Sequence, residues 1–301
     1  HVHLTSTGLL VDGLDLQGAR SLADALDRIR AFAARNLVAV VIGHGWNETE
    51  WPEQRPPTAN ELDRATGGAS CYLSRIDVHS AVVGGPLLGV ARGEDGFDES
   101  GWVRRTAHHV VRERALSSLT DAQVRAAHQS ARRRAASLGI VAMHEMGGPV
   151  ISSEADFASA LSLSDTEPGP LVYGHWGEHA DDDGIARARE LGAIAVGGDL
   201  FVDGAIGSRT ACMHDPYADA PTETGHLYLG REAIHRHVVA CMDAGIPSGF
   251  HVIGDRASDE VIVAAEQIAT ERGVDSMRSA GLRLEHVELV TDSHIAAMAR
   301  L

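Results

Sequence analysis

Two histidines one residue apart, His1-Val2-His3, stand at the start of the sequence. On an extended strand alternate side chains share a face, so both imidazoles turn into one space. That is the arrangement a divalent metal asks of its first two ligands. Two later histidines have comparable surroundings, His251 in Phe250-His251-Val252-Ile253-Gly254 and His286 in Leu284-Glu285-His286-Val287. Any one histidine among 17 carries little weight. A His-x-His pair joined by histidines on two later parallel strands converges on one mouth, and such a nitrogen-rich donor set suits Zn²⁺ or another first-row divalent ion.

The elements that must position these residues repeat one unit: an amphipathic helix, a glycine, a short apolar strand and a polar residue. Thr120 and Gln123 make a capping-box pattern ahead of Val124, Ala127, Ala131, Ala135 and Leu138; Gly139 stops the helix and a strand ending in His144 follows. A second unit runs from Asp183 to Gly192 and on to Asp199, and a third from Arg231 to Gly245 and the strand of His251. Alternating strands and helices imply right-handed crossovers and a parallel sheet with its chemistry at the strand C-termini. No Gly-x-Gly-x-x-Gly follows a strand, so a dinucleotide fold has no support. The expected architecture is a TIM-like (β/α)8 barrel truncated to about six strands, at residues 1–4, 140–144, 171–175, 193–202, 248–253 and 282–289, with a final helix over 291–301. Two further strands are expected past Leu301, and a true beginning ahead of His1, where no Met stands.

Residues 37–119 break the rhythm with the loop His44-Gly45-Trp46-Asn47-Glu48, a Pro-rich stretch at 51–57, a strand at 71–76 and a Gly/Asp-rich stretch near 93–101. They read as an α+β subdomain inserted after strand 1 that shapes a substrate pocket, leaving 1–36 and 120–301 as the partial barrel. With 301 residues, 44% of them hydrophobic, the chain can bury a large core. A net charge of -16 without any basic cluster argues against nucleic acid, and no apolar run of about 18 residues is present to span a membrane. Three scattered cysteines make no disulfide framework, so the expected compartment is the cytoplasm. All 26 basic residues are arginine; the chain has no lysine.

In combination, several stretches are specific: His1-Val2-His3, Gly43-His44-Gly45-Trp46, Asp77-Val78-His79-Ser80, Leu200-Phe201-Val202-Asp203-Gly204-Ala205-Ile206-Gly207-Ser208-Arg209-Thr210, the stretch from His251 to Ala257, and Glu285-His286. In these the chain resembles the amidohydrolase superfamily, and within it the YtcJ-like enzymes that include N-substituted formamide deformylases. The resemblance implies a metal site with His1, His3, His251 and His286 as ligands, holding one or two divalent metals, Zn²⁺ first among them. It also implies hydrolysis of a non-peptide C–N bond, of amide or N-formyl type, through a metal-activated water. The family's carboxylated lysine aligns with Asp199, and a chain without lysine cannot form that carbamate. Either Asp199 supplies the anionic ligand or the site holds a single metal; a turn cap beside Gly197 and Gly198 is its plain structural reading. The family's catalytic aspartate on strand eight falls past Leu301, which leaves open a non-catalytic fragment of such an enzyme, or a metal-free small-molecule-binding barrel.

Other positions face the same choice between substrate and scaffold. Asp203 and Arg209 either orient a substrate carbonyl or form a buried pair, and His79 faces the pocket by resemblance. His144 and His175 end two strands as second donors or substrate contacts, Trp46 and Trp176 line a wall or pack in a core, and Asp255 reads as a helix N-cap that braces His251. His108, His109, His128, His235 and His237 read as surface residues. The expected partner is a small amide-type substrate, with a homodimer left open.

Overall fold

The computed structural model describes residues 1–301 apart from Leu37 and Val150, so the insert boundary expected at Leu37 lies outside the described residues. By contacts the chain parts into two compact units, residues 1–3 with 141–301, and residues 4–140. The helices Leu22–Arg35 and Asp121–Ser137, expected beside the barrel, cluster with the second of these.

In the unit of residues 4–140, five strands lie in sequence order: β1 (Leu14–Asp15), β2 (Val40–Trp46), β3 (Ser70–Arg75), β4 (Ser80–Gly84) and β5 (Trp102–Arg104). The first three pair in parallel and the last three antiparallel. One face packs Val41 and Leu73 against Leu22, Ala25 and Ile29 of the helix Leu22–Arg35. The other packs Ile42, Tyr72 and Val83 against Ala107, Val111 and Ala115 of the helix Arg105–Leu116. Burial on both faces explains why β2 reads as an unbroken apolar run. His44-Gly45-Trp46 belongs to β2, with a register shift between His44 and Trp46, and is not a loop. Trp46 is fully buried in this core and its Nε1 donates to Leu73 O.

In the other unit the strands are β6 (Ala142–Gly147), β7 (Leu171–Trp176), β8 (Ala195–Val196), β9 (Gly249–Val252) and β10 (Arg283–His286). All their pairings are parallel: β6-β7-β8 form one ladder and β9-β10 another, with a bridge from Val196 to Ser248 between them. The strand expected over residues 1–4 is reduced to a bridge from Val2 to Glu145, because Leu4 already opens the helix Leu4–Asp12. The strand expected over 193–202 is likewise short, with a second bridge from Phe201 to His251. Among the described residues the strands form a parallel series, and no backbone ladder joins β10 to the segment 1–3.

The repeated unit is visible in the helices here. Gly184–Glu190 precedes β8 and Arg231–Ala244 precedes β9, the latter ending at Gly245 in the left-handed conformation that a Cβ disfavours. Phe250 and Val252 face outward onto Ile234 and Val238 of that helix and Val261 and Ile268 of Asp255–Arg272. On β6 and β7, Gly147 and Gly174 leave room for the Phe157 ring, since a Cβ on either would lie within 2.4 Å of it. Period-2 alternation therefore turns His251, and with it His144, Met146 and His175, to the opposite, inner face. Three histidines expected at the surface, His108, His128 and His237, are buried instead, because each helix turns them inward with its apolar residues.

Candidate metal centre

The inner face of the parallel series gathers four imidazoles around one buried carboxylate. His3 Nε2 lies 2.9 Å and His1 Nε2 3.5 Å from Asp199 Oδ2, and His286 Nε2 lies 3.9 Å from Asp199 Oδ1. The His286 ring centroid is 4.9 Å from that of His1 and 4.6 Å from that of His251. His1, His3 and Asp199 each offer an atom within 4.8 Å of the others, close enough for one ion.

Local structure explains how each arrives. Val2 exchanges hydrogen bonds with the β6 backbone, accepting from Met146 N and donating to His144 O, which fixes both flanking histidines on the inner face. Asp199 follows Gly197, whose φ of 126° and 2.0 Å separation between a built Cβ and Gly249 O admit only glycine. His251 is register partner of Glu285. Alternation from Glu285 would send His286 outward, but His286 and Val287 both take positive φ, 71° and 54°, and the strand ends with the ring turned toward the cluster.

The donor set fits a cation. His1 Nδ1 donates to Glu285 Oε2 at 2.9 Å, and His3 Nδ1 to Met146 O at 3.0 Å. In a neutral imidazole the other nitrogen is then a lone pair, and both Nε2 atoms face the Asp199 carboxylate, itself an acceptor. Acceptors facing acceptors in a buried place need a proton or a metal between them. Asp199 Oδ1 is buried and accepts no hydrogen bond. Burial alone would raise the Asp199 pKa, but with protons in that place, hydrogen bonds from His1 and His3 hold it well below the ordinary range. Burial would lower His1, yet its bonds to Asp199 and Glu285 raise it to about 9, while His286 is pushed down to about 4 by burial and by His251.

The remaining predicted residues divide. Asp203, fully buried, accepts from the backbone N–H groups of Cys212, Ile253 and Gly254 at 2.7–2.9 Å, and its Oδ1 lies 3.7 Å from His251 Nδ1. It stands beside His251, the position expected of Asp255, whose Oδ1 instead accepts from His214 N and Arg256 N. Asp255 is the first residue of its helix and Gly254 the N-cap. Arg209 pairs with Asp219 at 2.6 Å. His144 Nδ1 lies 2.9 Å from both His175 Nε2 and Arg283 Nη1. Burial and the Arg283 charge push His175 down to about 4. Trp176 is core, packed on Phe157. His79 and Trp46 lie in the unit of residues 4–140, His79 in the turn before β4 with its N–H on Asp77 Oδ1. Sequence reasoning missed Arg283 and Glu285; their spacing of two along β10, with Glu285 opposite His251, is the signal that points to them.

The amidohydrolase family model matches residues 1–301. Protein LONG AFTER FAR-RED 3 of Arabidopsis thaliana is 23% identical over 324 residues, covering 96% of this chain and 53% of that protein. Putative amidohydrolase YtcJ of Bacillus subtilis (strain 168) is 30% identical over 112 residues, 37% of this chain and 19% of that protein. Crystal structures of uncharacterized metal-dependent hydrolases share the fold: one from Pyrococcus horikoshii OT3 (TM-score 0.69, 22% identity) and one from Pyrococcus furiosus (TM-score 0.65, 25% identity). Each alignment covers 99% of this chain, and 59% and 61% of the respective structures. The chain thus spans about half the length of the first of these relatives (53%) and about three-fifths of the two structures. With the family model running from His1 to Leu301 and a YtcJ-like relative beside it, the chain belongs to the amidohydrolase family.

Proposed function

We propose that this chain carries the metal site of a hydrolase that cleaves a non-peptide C–N bond, of amide or N-formyl type, in a small molecule. The observation that carries the reading is the pair of imidazole Nε2 atoms, on His1 and His3, facing the buried Asp199 carboxylate. His1, His3, His251 and His286 would hold the cation, with Asp199 as the anionic ligand that a lysine-free chain supplies in place of a carbamate. Four nitrogens and a carboxylate favour zinc, with other first-row metals able to compete. A divalent ion so held acidifies water and polarises a carbonyl oxygen.

The chain's own part is to hold and exclude. Asp203 accepts from Ile253 and Gly254 N–H in the turn after β9 and from Cys212 N–H, tying that turn to the Cys212 segment so that His251 keeps its place as a substrate enters. His175, buried on the inner face, takes its Nε2 proton toward His144 and leaves Nδ1 as an acceptor for a substrate N–H or O–H.

Elemental analysis of the purified chain, with His251→Ala and His286→Ala beside it, tests the site. About one equivalent of zinc in the parent and a loss of tenfold or more in both variants, with far-ultraviolet circular dichroism unchanged, is the expected result. Full metal content in both variants, or none in the parent, overturns the assignment. Amine release from N-formyl amines and simple amides, measured against carboxylic and phosphate esters, tests the bond class; preference for an ester rejects it.

A further inference from the structure

Glu285 and Arg283 stand outside the ligand set yet are built into it. They share the inner face of β10, two residues apart, and Glu285 is almost fully buried beside His251 in register. Glu285 Oε2 accepts from His1 Nδ1 at 2.9 Å and from Arg283 Nη2 at 3.1 Å; Arg283 Nε also pairs with Oε1. The guanidinium then reaches on to His144 Nδ1 at 2.9 Å. A guanidinium only donates, so Glu285 Oε2 is held as an acceptor, with Oε1 ion-paired to the same arginine. The His1 contact fixes a hydrogen on Nδ1 and leaves Nε2, which faces Asp199, as the atom open to a proton or a metal.

We infer that Glu285, clamped by Arg283, is a positioning residue that fixes the tautomer and ring orientation of His1 and raises its strength as a metal ligand. The inference rests on the ligand set proposed above. Carboxylates that take the second N–H of a metal-bound histidine act in this way, and removing one costs about 10–100-fold in metal affinity. A packing role would need the shape of the side chain; this role needs its charge. His3 offers an internal contrast, because its Nδ1 meets a neutral carbonyl, Met146 O, and no carboxylate. The two first-strand histidines therefore differ in what stands behind them, a carboxylate for His1 and a carbonyl for His3.

Glu285→Gln keeps the size and one acceptor oxygen but removes the charge. Zinc affinity by competition with a chromophoric chelator is expected to fall by about 10–100-fold, and the d–d spectrum of the cobalt-loaded protein to shift, with the thermal unfolding midpoint little changed. Glu285→Asp, which keeps the charge but withdraws it by a methylene, is expected to fall between the parent and Gln. A parent that loads with metal while Glu285→Gln loads equally tightly with the same cobalt spectrum overturns this inference alone. A parent that takes up no metal overturns the ligand set and this inference with it. If Glu285→Gln does not fold, the Glu285→Asp affinity decides: equality with the parent rejects the positioning role.

Discussion

The two units use the same side chain to opposite ends. In the unit of residues 4–140, the buried histidines pair with hydroxyls: His44 with Ser74 at 2.8 Å, His108 with Tyr72 at 2.9 Å and His128 with Thr5 at 2.9 Å. In the unit of 1–3 with 141–301, His1, His3 and His286 crowd one carboxylate, with His251 against the His286 ring and Glu285 behind His1. Burial alone does not distinguish the two groups, since His108, His128 and His251 are all at or below 1% exposure. What differs is the partner. A hydroxyl can turn its proton to suit either nitrogen, so the imidazole needs no charge to bond it and is part of the packing. A carboxylate cannot donate when ionised, so imidazole nitrogens turned toward it leave a place for a proton or a metal cation.

The largest effect that tests this contrast is on metal content. His3→Ala removes a ligand and is expected to cut zinc affinity by at least about 100-fold, whereas His128→Ala leaves stoichiometry and affinity at the parent value. His128→Ala instead loses the Thr5 bond and leaves a void, lowering unfolding free energy by about 2–4 kcal/mol. Metal loss in the His128 variant, measured by the same chelator competition, would erase the distinction between the units.

Next in size is the anchor behind His251. Asp203→Ala strands three buried backbone N–H groups at about 1–3 kcal/mol each, so the unit of 1–3 with 141–301 is expected to lose about 3 kcal/mol or more in denaturant unfolding. Asp203→Asn retains some acceptors and should lose less. Equal stability for the Ala variant and the parent would show that these N–H groups find other partners.

How much of this was legible in the sequence follows from what each signal depends on. The helix, glycine, strand rhythm holds at Gly192 and Gly245 because a left-handed stop is a local property. The ligand histidines could be picked out because strand alternation sets their face. The helix Leu4–Asp12 could not, since its run Thr5-Ser6-Thr7-Gly8 has poor intrinsic helix propensity and tertiary packing decides it. The antiparallel pairing of β4 with β5 was equally hidden, as was the short β5 itself. His286 was found, but its turn inward depends on two positive-φ residues that no pattern announces. Glu285 was read only as part of a motif; its partner His1 is 284 positions away, and only the parallel series brings them together.

The smallest effect is one of pH, and it sharpens the contrast from the hydroxyl-paired side. Burial and the Arg112 charge push His44 and His109 down to about 4, and His108 well below its ordinary value through burial and its neighbours His109 and Arg112. These groups stay neutral in the folded unit and take up protons near 6.5 once unfolded. Between about pH 4 and 6.5 the unfolded chain therefore binds more protons, and stability rises with pH. Stability is full above about pH 7 and falls as pH drops, by at most about 2 kcal/mol per shifted histidine at pH 5. Trp46, Trp51 and Trp102 all lie in this unit, so tryptophan fluorescence in a urea titration reports mainly on it. The midpoint is expected to move to lower urea at pH 5 than at pH 7. An unchanged or higher midpoint at pH 5 would mean that these imidazoles are protonated in the folded protein, and that the two units do not differ in the way their partners imply.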